Sequence, residues 1–251
     1  MLPNRLLAAS LVALVPVAVS GANPVMRFTF DPDNSGVVGK IDFSYNGGDR
    51  GGADVWANLG FKRFDMKALK ALDGNCTADK ITDFEWYIHT MWKPPQGSTN
   101  SSRRFNQCGK AVTGNHYDPY KICGPASQYA DTPACAPKIK TYKCTPDEYK
   151  KNFAACEAGD LSGKYGTLRP DNETVVNLRA GDPRFPFPSE ATKEWNIMIH
   201  AVCGKASPRV ACAVGHMLDS TSASPMKVAT PDIEKADFTV DKQVHVRVYD
   251  N

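Results

Sequence analysis

From Met26 onward, apolar residues recur at every second position in short runs broken by turn chemistry, a pattern that fits half-buried strands and leaves little room for helices. Met26-Arg27-Phe28-Thr29-Phe30 alternates, Asp31-Pro32-Asp33-Asn34-Ser35-Gly36 is a turn, and Val37 to Tyr45 alternates again before Asn46-Gly47-Gly48. This reads as a hairpin opening an antiparallel sheet. Further strands are expected at Ala53 to Phe61, Phe84 to Trp92, Asn196 to Val202, Arg209 to Val214 and Gln243 to Tyr249. Helical patterning is confined to Asp65 to Leu72 and Pro146 to Ala155. Short strands separated by turns predict an all-β sandwich or barrel.

The chain of 251 residues begins with a segment that differs from the rest. Arg5 precedes an almost entirely apolar run from Leu6 to Val19, and Val19-Ser20-Gly21 is a small-residue cleavage context, so residues 1–21 read as a secretory signal peptide. The run, roughly 14 residues, is shorter than the ~20 that cross a bilayer, and no later stretch is long enough. All eight cysteines lie beyond it. In an oxidising compartment such an even set means disulfides, and no pair has the CxxC spacing of a zinc ribbon or redox motif. Spacing does not say which cysteines pair. Asn75, Asn100 and Asn172 are glycosylation sequons, compatible with an exported surface. The remainder, 22–251, reads as one domain without linker or repeat. The 30 basic and 27 acidic side chains of the full chain nearly cancel and form no basic block, which argues against a nucleic-acid partner. The stretch Tyr117 to Thr145, rich in Pro and Gly and carrying Cys123, Cys135 and Cys144, is a long loop expected to be cross-linked.

Five histidines limit the chemistry: His89, His116, His200, His216 and His245. His89 and His200 end apolar strand runs, where an unpartnered imidazole is costly. His116 sits in the turn Gly114-Asn115-His116-Tyr117-Asp118-Pro119. Three neutral imidazoles brought together would suit copper or zinc. Tyr87 and His89, two apart on one strand, point to the same face. His216 and His245 match no motif and read as surface or structural.

These motifs, in this order and with Gly159-Asp160-Leu161-Ser162-Gly163-Lys164 between them, resemble the copper-zinc superoxide dismutases over roughly Met26 to Gly215. That resemblance implies a Greek-key β-sandwich or flattened barrel. It implies copper ligands at His89, His116 and His200, with Tyr87 where the family has a fourth histidine. It further implies a disulfide between Cys108 and Cys212, and Arg209 as the residue that guides the superoxide anion. Glu157 stands where a zinc-ligand histidine would be, Tyr117 to Ala155 contains no histidine, and only eight residues separate His200 from Arg209. Zinc and the long electrostatic loop are therefore not expected. Both departures resemble the extracellular copper-only branch, in which Glu157 and Asp160 would orient His116 by hydrogen bonding.

At Tyr87 three readings stay open. The phenol ligates as phenolate, it stands aside from a three-histidine site, or the site is inactive. Two functions follow: a secreted copper-dependent superoxide dismutase, or a non-catalytic secreted protein that binds or sequesters copper on the same scaffold. The chain from about 216 to Asn251 exceeds what the family needs and reads as a C-terminal extension.

Overall fold

The computed structural model describes residues 23–47, 51–93, 108–171 and 175–218. The leader, Asn100, Asn172, His245 and the strand expected at Gln243 to Tyr249 lie outside them.

Among the described residues, seven strands form one antiparallel sheet: β1 (Val25–Phe30), β2 (Val38–Tyr45), β3 (Ala53–Gly60), β4 (Phe84–His89), β5 (Val175–Asp182), β6 (Asn196–Ala201) and β7 (Arg209–Leu218). Their spatial order is β4-β6-β7-β1-β2-β3-β5. The first three strands form a meander. The chain then crosses to the far edge for β4, returns beside β3 for β5, and crosses again for the β6–β7 pair. This is Greek-key-like connectivity in the expected all-β class.

The alternation read in the sequence sets which face is buried. Phe28, Ile41, Phe43, Val55, Leu59, Trp86, Ile88, Ile197, Ile199 and Ala211 belong to one continuous core, so the sheet curls around its own apolar face. Phe43 stacks on Phe185 with centroids 4.5 Å apart, and Phe61 on Phe84 at 4.3 Å. Such pairs add about 0.5–1.5 kcal/mol each beyond area burial. Strand β7 makes the curl possible. Its first half pairs with β6 and its second half, from Gly215, with β1. A Cβ at Gly215 would lie 2.7 Å from the Phe28 ring, so the corner requires glycine. The segment Leu168–Asp171 bridges the open side, pairing with Phe84 of β4 at one end and with Val175 of β5 at the other.

Two expectations need adjustment. Strand β5 is absent from the sequence reading because its apolar pattern is weak: as an edge strand it buries little beyond Val176 and Asp182. Its other face is held to β3 by Arg179 over the Trp56 ring at 4.1 Å. The turn at Asp31 to Gly36 contains a single helical turn, Pro32–Ser35, capped by Asp31. Helices occupy Met66–Leu72 and Pro146–Lys151, close to expectation, and three shorter ones at Lys110–Thr113, Ala136–Ile139 and Leu161–Tyr165 lie outside the expected stretches.

Four disulfides join Cys76 to Cys203, Cys108 to Cys212, Cys123 to Cys135 and Cys144 to Cys156, and no described cysteine is free. The last two close short loops within the long segment between Tyr117 and Gly159. Beneath this segment, Lys164 donates to the Ala158 carbonyl at 2.8 Å and to Asp182 Oδ2 at 3.0 Å. Tyr149 donates to Asp182 Oδ1. Lys164 and Asp182 are 5% and 1% exposed, so each charge relies on the other. Burial alone would raise the Asp182 pKa, but Lys164 and the phenol hydrogen bonds outweigh it and hold the group below the usual carboxylate range.

A ring of backbone hydrogen bonds closes where β4 meets two loops. Ile88 N–H donates to the Gly159 carbonyl, Gly159 N–H to the Tyr117 carbonyl, and Tyr117 N–H to the Ile88 carbonyl, each at 2.8 Å. A Cβ on Gly159 would sit 2.6 Å from the Ile88 oxygen and 2.9 Å from the Tyr117 nitrogen.

Gly159→Ala should therefore cost about 1–3 kcal/mol, the usual penalty of overpacking, read by chemical denaturation; an unchanged midpoint would mean that the ring of hydrogen bonds yields freely. Asp182→Ala should cost about 3–5 kcal/mol by stranding the Lys164 ammonium, and adding Lys164→Met should recover part of that loss. Because the folded Asp182 pKa is depressed, its contribution is present above the ordinary Asp range and is lost as pH falls through the folded value. Asp182→Asn should accordingly flatten that part of the acid dependence.

Candidate metal centre

The three-way backbone contact brings side chains from each segment to the same place. On β4, Phe84, Trp86 and Ile88 face the core, which leaves Glu85, Tyr87 and His89 on the outer face. His89 forms a bridge with His116, which precedes Tyr117 in the second segment. Glu157 and Asp160 flank Gly159 in the third. Strand β6 adds His200, directly opposite Glu85, at a point where the register with β7 shifts between Ile199 and His200.

Tyr87 lies among the three imidazoles. Its ring stacks on His116 at 4.0 Å between centroids and 16° between planes, and meets His200 edge-on at 5.5 Å. His89 lies 5.1 Å from His116 and 6.2 Å from His200, centroid to centroid. As placed, no group of three or more His, Cys, Asp or Glu among the described residues is close enough to hold a metal ion.

Hydrogen bonding fixes the imidazole tautomers. His89 Nδ1 lies 3.0 Å from the Gly114 carbonyl and His200 Nδ1 lies 2.7 Å from the Ser207 carbonyl. A carbonyl only accepts, so each Nδ1 carries the proton and each Nε2 is left with its lone pair. Both Nε2 atoms are buried and have no partner. A buried acceptor without a donor is costly, and a metal-ligating imidazole has this same arrangement of an anchored N–H and a bare opposite nitrogen. These two side chains thus fit a borderline cation such as copper or zinc.

His116 differs, because its Nδ1 meets Glu157 Oε2 at 2.8 Å. With the shared proton on Nδ1, Nε2 is free to donate to a metal; with it on the carboxyl, Nε2 carries hydrogen. Burial opposes charge on both partners, pushing Glu157 up to about 8, with Asp118 adding to the rise, and His116 down to about 4. Burial also lowers His200 to about 4 and takes His89 well below the ordinary histidine value. All three imidazoles are therefore neutral near pH 7, the form that ligates metal.

Asp160 makes no hydrogen bond to His116 in this arrangement. It accepts from Tyr142 Oη at 2.6 Å and from Gly163 N–H at 2.7 Å. Tyr142 Oη in turn lies 3.3 Å from the Glu157 N–H, so this phenol links the two carboxylate-bearing residues. Asp118 is buried, and accepts from Ile122 N–H, Cys123 N–H and Ser127 Oγ, shaping the loop behind His116.

Tyr142 and Glu85 are site neighbours that the sequence reading does not reach. Glu85 accepts from Ser207 Oγ at 2.6 Å, beside the carbonyl that anchors His200. Its place on the Tyr87–His89 face was available from alternation alone. Tyr142 lies in the cysteine-rich loop and carries no local signal.

Arg209 is half-buried and donates to Thr113 Oγ1 at 2.7 Å and to the Gly114 carbonyl at 3.0 Å, the oxygen that also anchors His89. Both partners are neutral, so no carboxylate cancels its charge through these bonds. The Cys108–Cys212 disulfide joins the segment before Thr113 to the strand that carries Arg209. His216 is exposed on β7, away from the cluster.

The Tyr87 phenol is pushed above its ordinary pKa, first by burial and then by Asp160 and Glu85. It is therefore held protonated near neutral pH. Asn75 lies exposed in the turn before β4.

No family model and no curated protein sequence matches the chain. Among solved structures it is similar to copper(II)-bound superoxide dismutase 5 of Candida albicans, at 20% identity over 79% of this chain and 94% of that one, with a TM-score of 0.45. Two point mutants of the same Candida albicans protein are similar at 21% identity over 79% of this chain, with TM-scores of 0.45 and 0.44, covering 94% and 92% of theirs. At that level of superposition, the likeness adds nothing to what the residues themselves argue.

Proposed function

We propose that this is a secreted copper protein of superoxide dismutase type, with His89, His116 and His200 as ligands and superoxide as its substrate. The observation that carries the reading is the pair of buried, unpartnered Nε2 atoms on His89 and His200, each held by an Nδ1–H bond to a backbone carbonyl. Copper, when bound, supplies a one-electron couple that oxidises one superoxide to oxygen and, with protons, reduces a second to hydrogen peroxide. The chain supplies the rest. Glu157 holds the His116 ring and sets where its proton lies, while Tyr142 and Gly163 hold Asp160 close by. Arg209 brings positive charge beside His89 without a carboxylate bonded to it, which favours an approaching anion. Export and glycosylation at Asn75, Asn100 and Asn172 are supported by the leader, the sequons and the four disulfides.

We read Tyr87 as a wall of this site rather than a donor to the metal. A phenol held protonated by burial and two carboxylates is a poor ligand, and its ring lies flat against His116. The same stacking favours a second reading, in which Tyr87 blocks turnover and the protein binds copper without catalysis.

Copper loading, removal of free metal and assay of superoxide consumption, with Tyr87→His run in parallel, separates the two. Copper-dependent turnover by the unaltered protein supports the enzyme; turnover in the variant alone supports the copper-binding scaffold; copper lost on dialysis from both ends the proposal. His89→Ala should lose the Cu(II) electron paramagnetic resonance signal whichever reading holds. If the protein turns over, Arg209→Gln should slow it by about tenfold at low salt and flatten its salt dependence, while leaving bound copper unchanged.

A further inference from the structure

Away from the histidine cluster, a cleft of about 500 Å³ opens between the loop following helix Pro146–Lys151 and the loop following β5. The volume is within the usual range for small-ligand sites. Six large apolar or aromatic side chains stand out as exposed among the described residues, and three of them border this cleft: Tyr120 at 64%, Phe153 at 40% and Phe187 at 39%. Their convergence at one concavity differs from the scattered exposure that needs no explanation.

The charges there do not balance. The Arg184 guanidinium lies 5.7 Å over the Phe153 ring, and among the described residues it forms no ion pair with a carboxylate. Lys164, deeper in the cleft, is already matched by Asp182. Glu190, the only carboxylate among the described residues lining the cleft, is committed elsewhere: Oε2 accepts from Tyr117 Oη at 3.1 Å and Oε1 from Phe187 N–H at 2.8 Å. An exposed cation beside aromatic walls, with the local acid engaged, is complementary to a ligand that is apolar along its body and negative at one end.

We propose that this cleft binds a small organic anion with an aromatic or apolar body, its acid group on Arg184 and its body against Tyr120, Phe153 and Phe187. A guanidinium engages a carboxylate or sulfonate through two parallel N–H donors, and the rings supply flat apolar contact at little entropic cost. A neutral ligand would leave the Arg184 charge unused. The site is independent of the metal chemistry proposed above.

The test uses the full chain and two fluorescent probes of similar shape, anilinonaphthalene sulfonate and uncharged phenylnaphthylamine. The sulfonate should bind saturably at one site. Arg184→Gln should weaken it by about tenfold, the scale of a lost hydrogen bond to a charged group, and leave the uncharged probe unchanged. Arg184→Lys should retain most of the affinity, and Phe153→Ala should weaken both probes. Absence of saturable sulfonate binding would overturn the proposal. So would an Arg184→Gln protein that binds the sulfonate as tightly as the original, or that loses both probes equally.

Discussion

The arrangement of this molecule depends on one ring of backbone hydrogen bonds. Ile88 donates to Gly159, Gly159 to Tyr117 and Tyr117 back to Ile88, which joins a strand and two loops that are distant in sequence. Each segment carries site residues beside the contact: His89 next to Ile88, His116 next to Tyr117, and Glu157 and Asp160 around Gly159. A side chain on Gly159 would force the three apart, so the glycine that looks like turn punctuation is what permits the cluster.

The rest of the structure braces that contact. The core face of β4 is anchored by Trp86, whose indole donates to the Gly166 carbonyl at 3.0 Å and whose backbone N–H meets Ser162 Oγ. Lys164 holds the Ala158 carbonyl from below and is itself held by Asp182 at the end of β5. Two short-loop disulfides limit the freedom of the long segment between Tyr117 and Gly159, and a third joins that region's approach to β7. A loop of this length would otherwise lose its order at a large entropic gain. Cross-linking lowers that gain in the unfolded chain, so irregular backbone can present His116 and Glu157 with strand-like definition.

Within the site, burial is the dominant electrostatic term. It keeps the three imidazoles neutral and the Tyr87 and Tyr142 phenols protonated, and it forces Glu157 and His116 to share a proton rather than separate charge. Arg209 is the exception, remaining cationic with only neutral groups to donate to. Tyr87 fills the space among the imidazoles. A ring stacked on one histidine and edge-on to another is good packing, and it is also what sets the proposed copper enzyme against the proposed copper scaffold.

Much of this was legible in the sequence. Alternation located six of the seven strands, because a half-buried strand must place apolar residues at every second position. It also placed Tyr87 and His89 on a common face. Edge strand β5 escaped because packing on one side only, with Arg179 and Asn177 held by cross-strand polar pairs, leaves little periodic signal. The cysteine content predicted cross-linking without its pattern; pairing depends on which loops come together. Tertiary structure alone decided that Tyr87 lies flat on His116, that Tyr142 links Asp160 to Glu157, and that Gly114 offers one carbonyl to both His89 and Arg209. Those contacts join residues tens of positions apart, and spacing along a chain holds no record of distances across a fold.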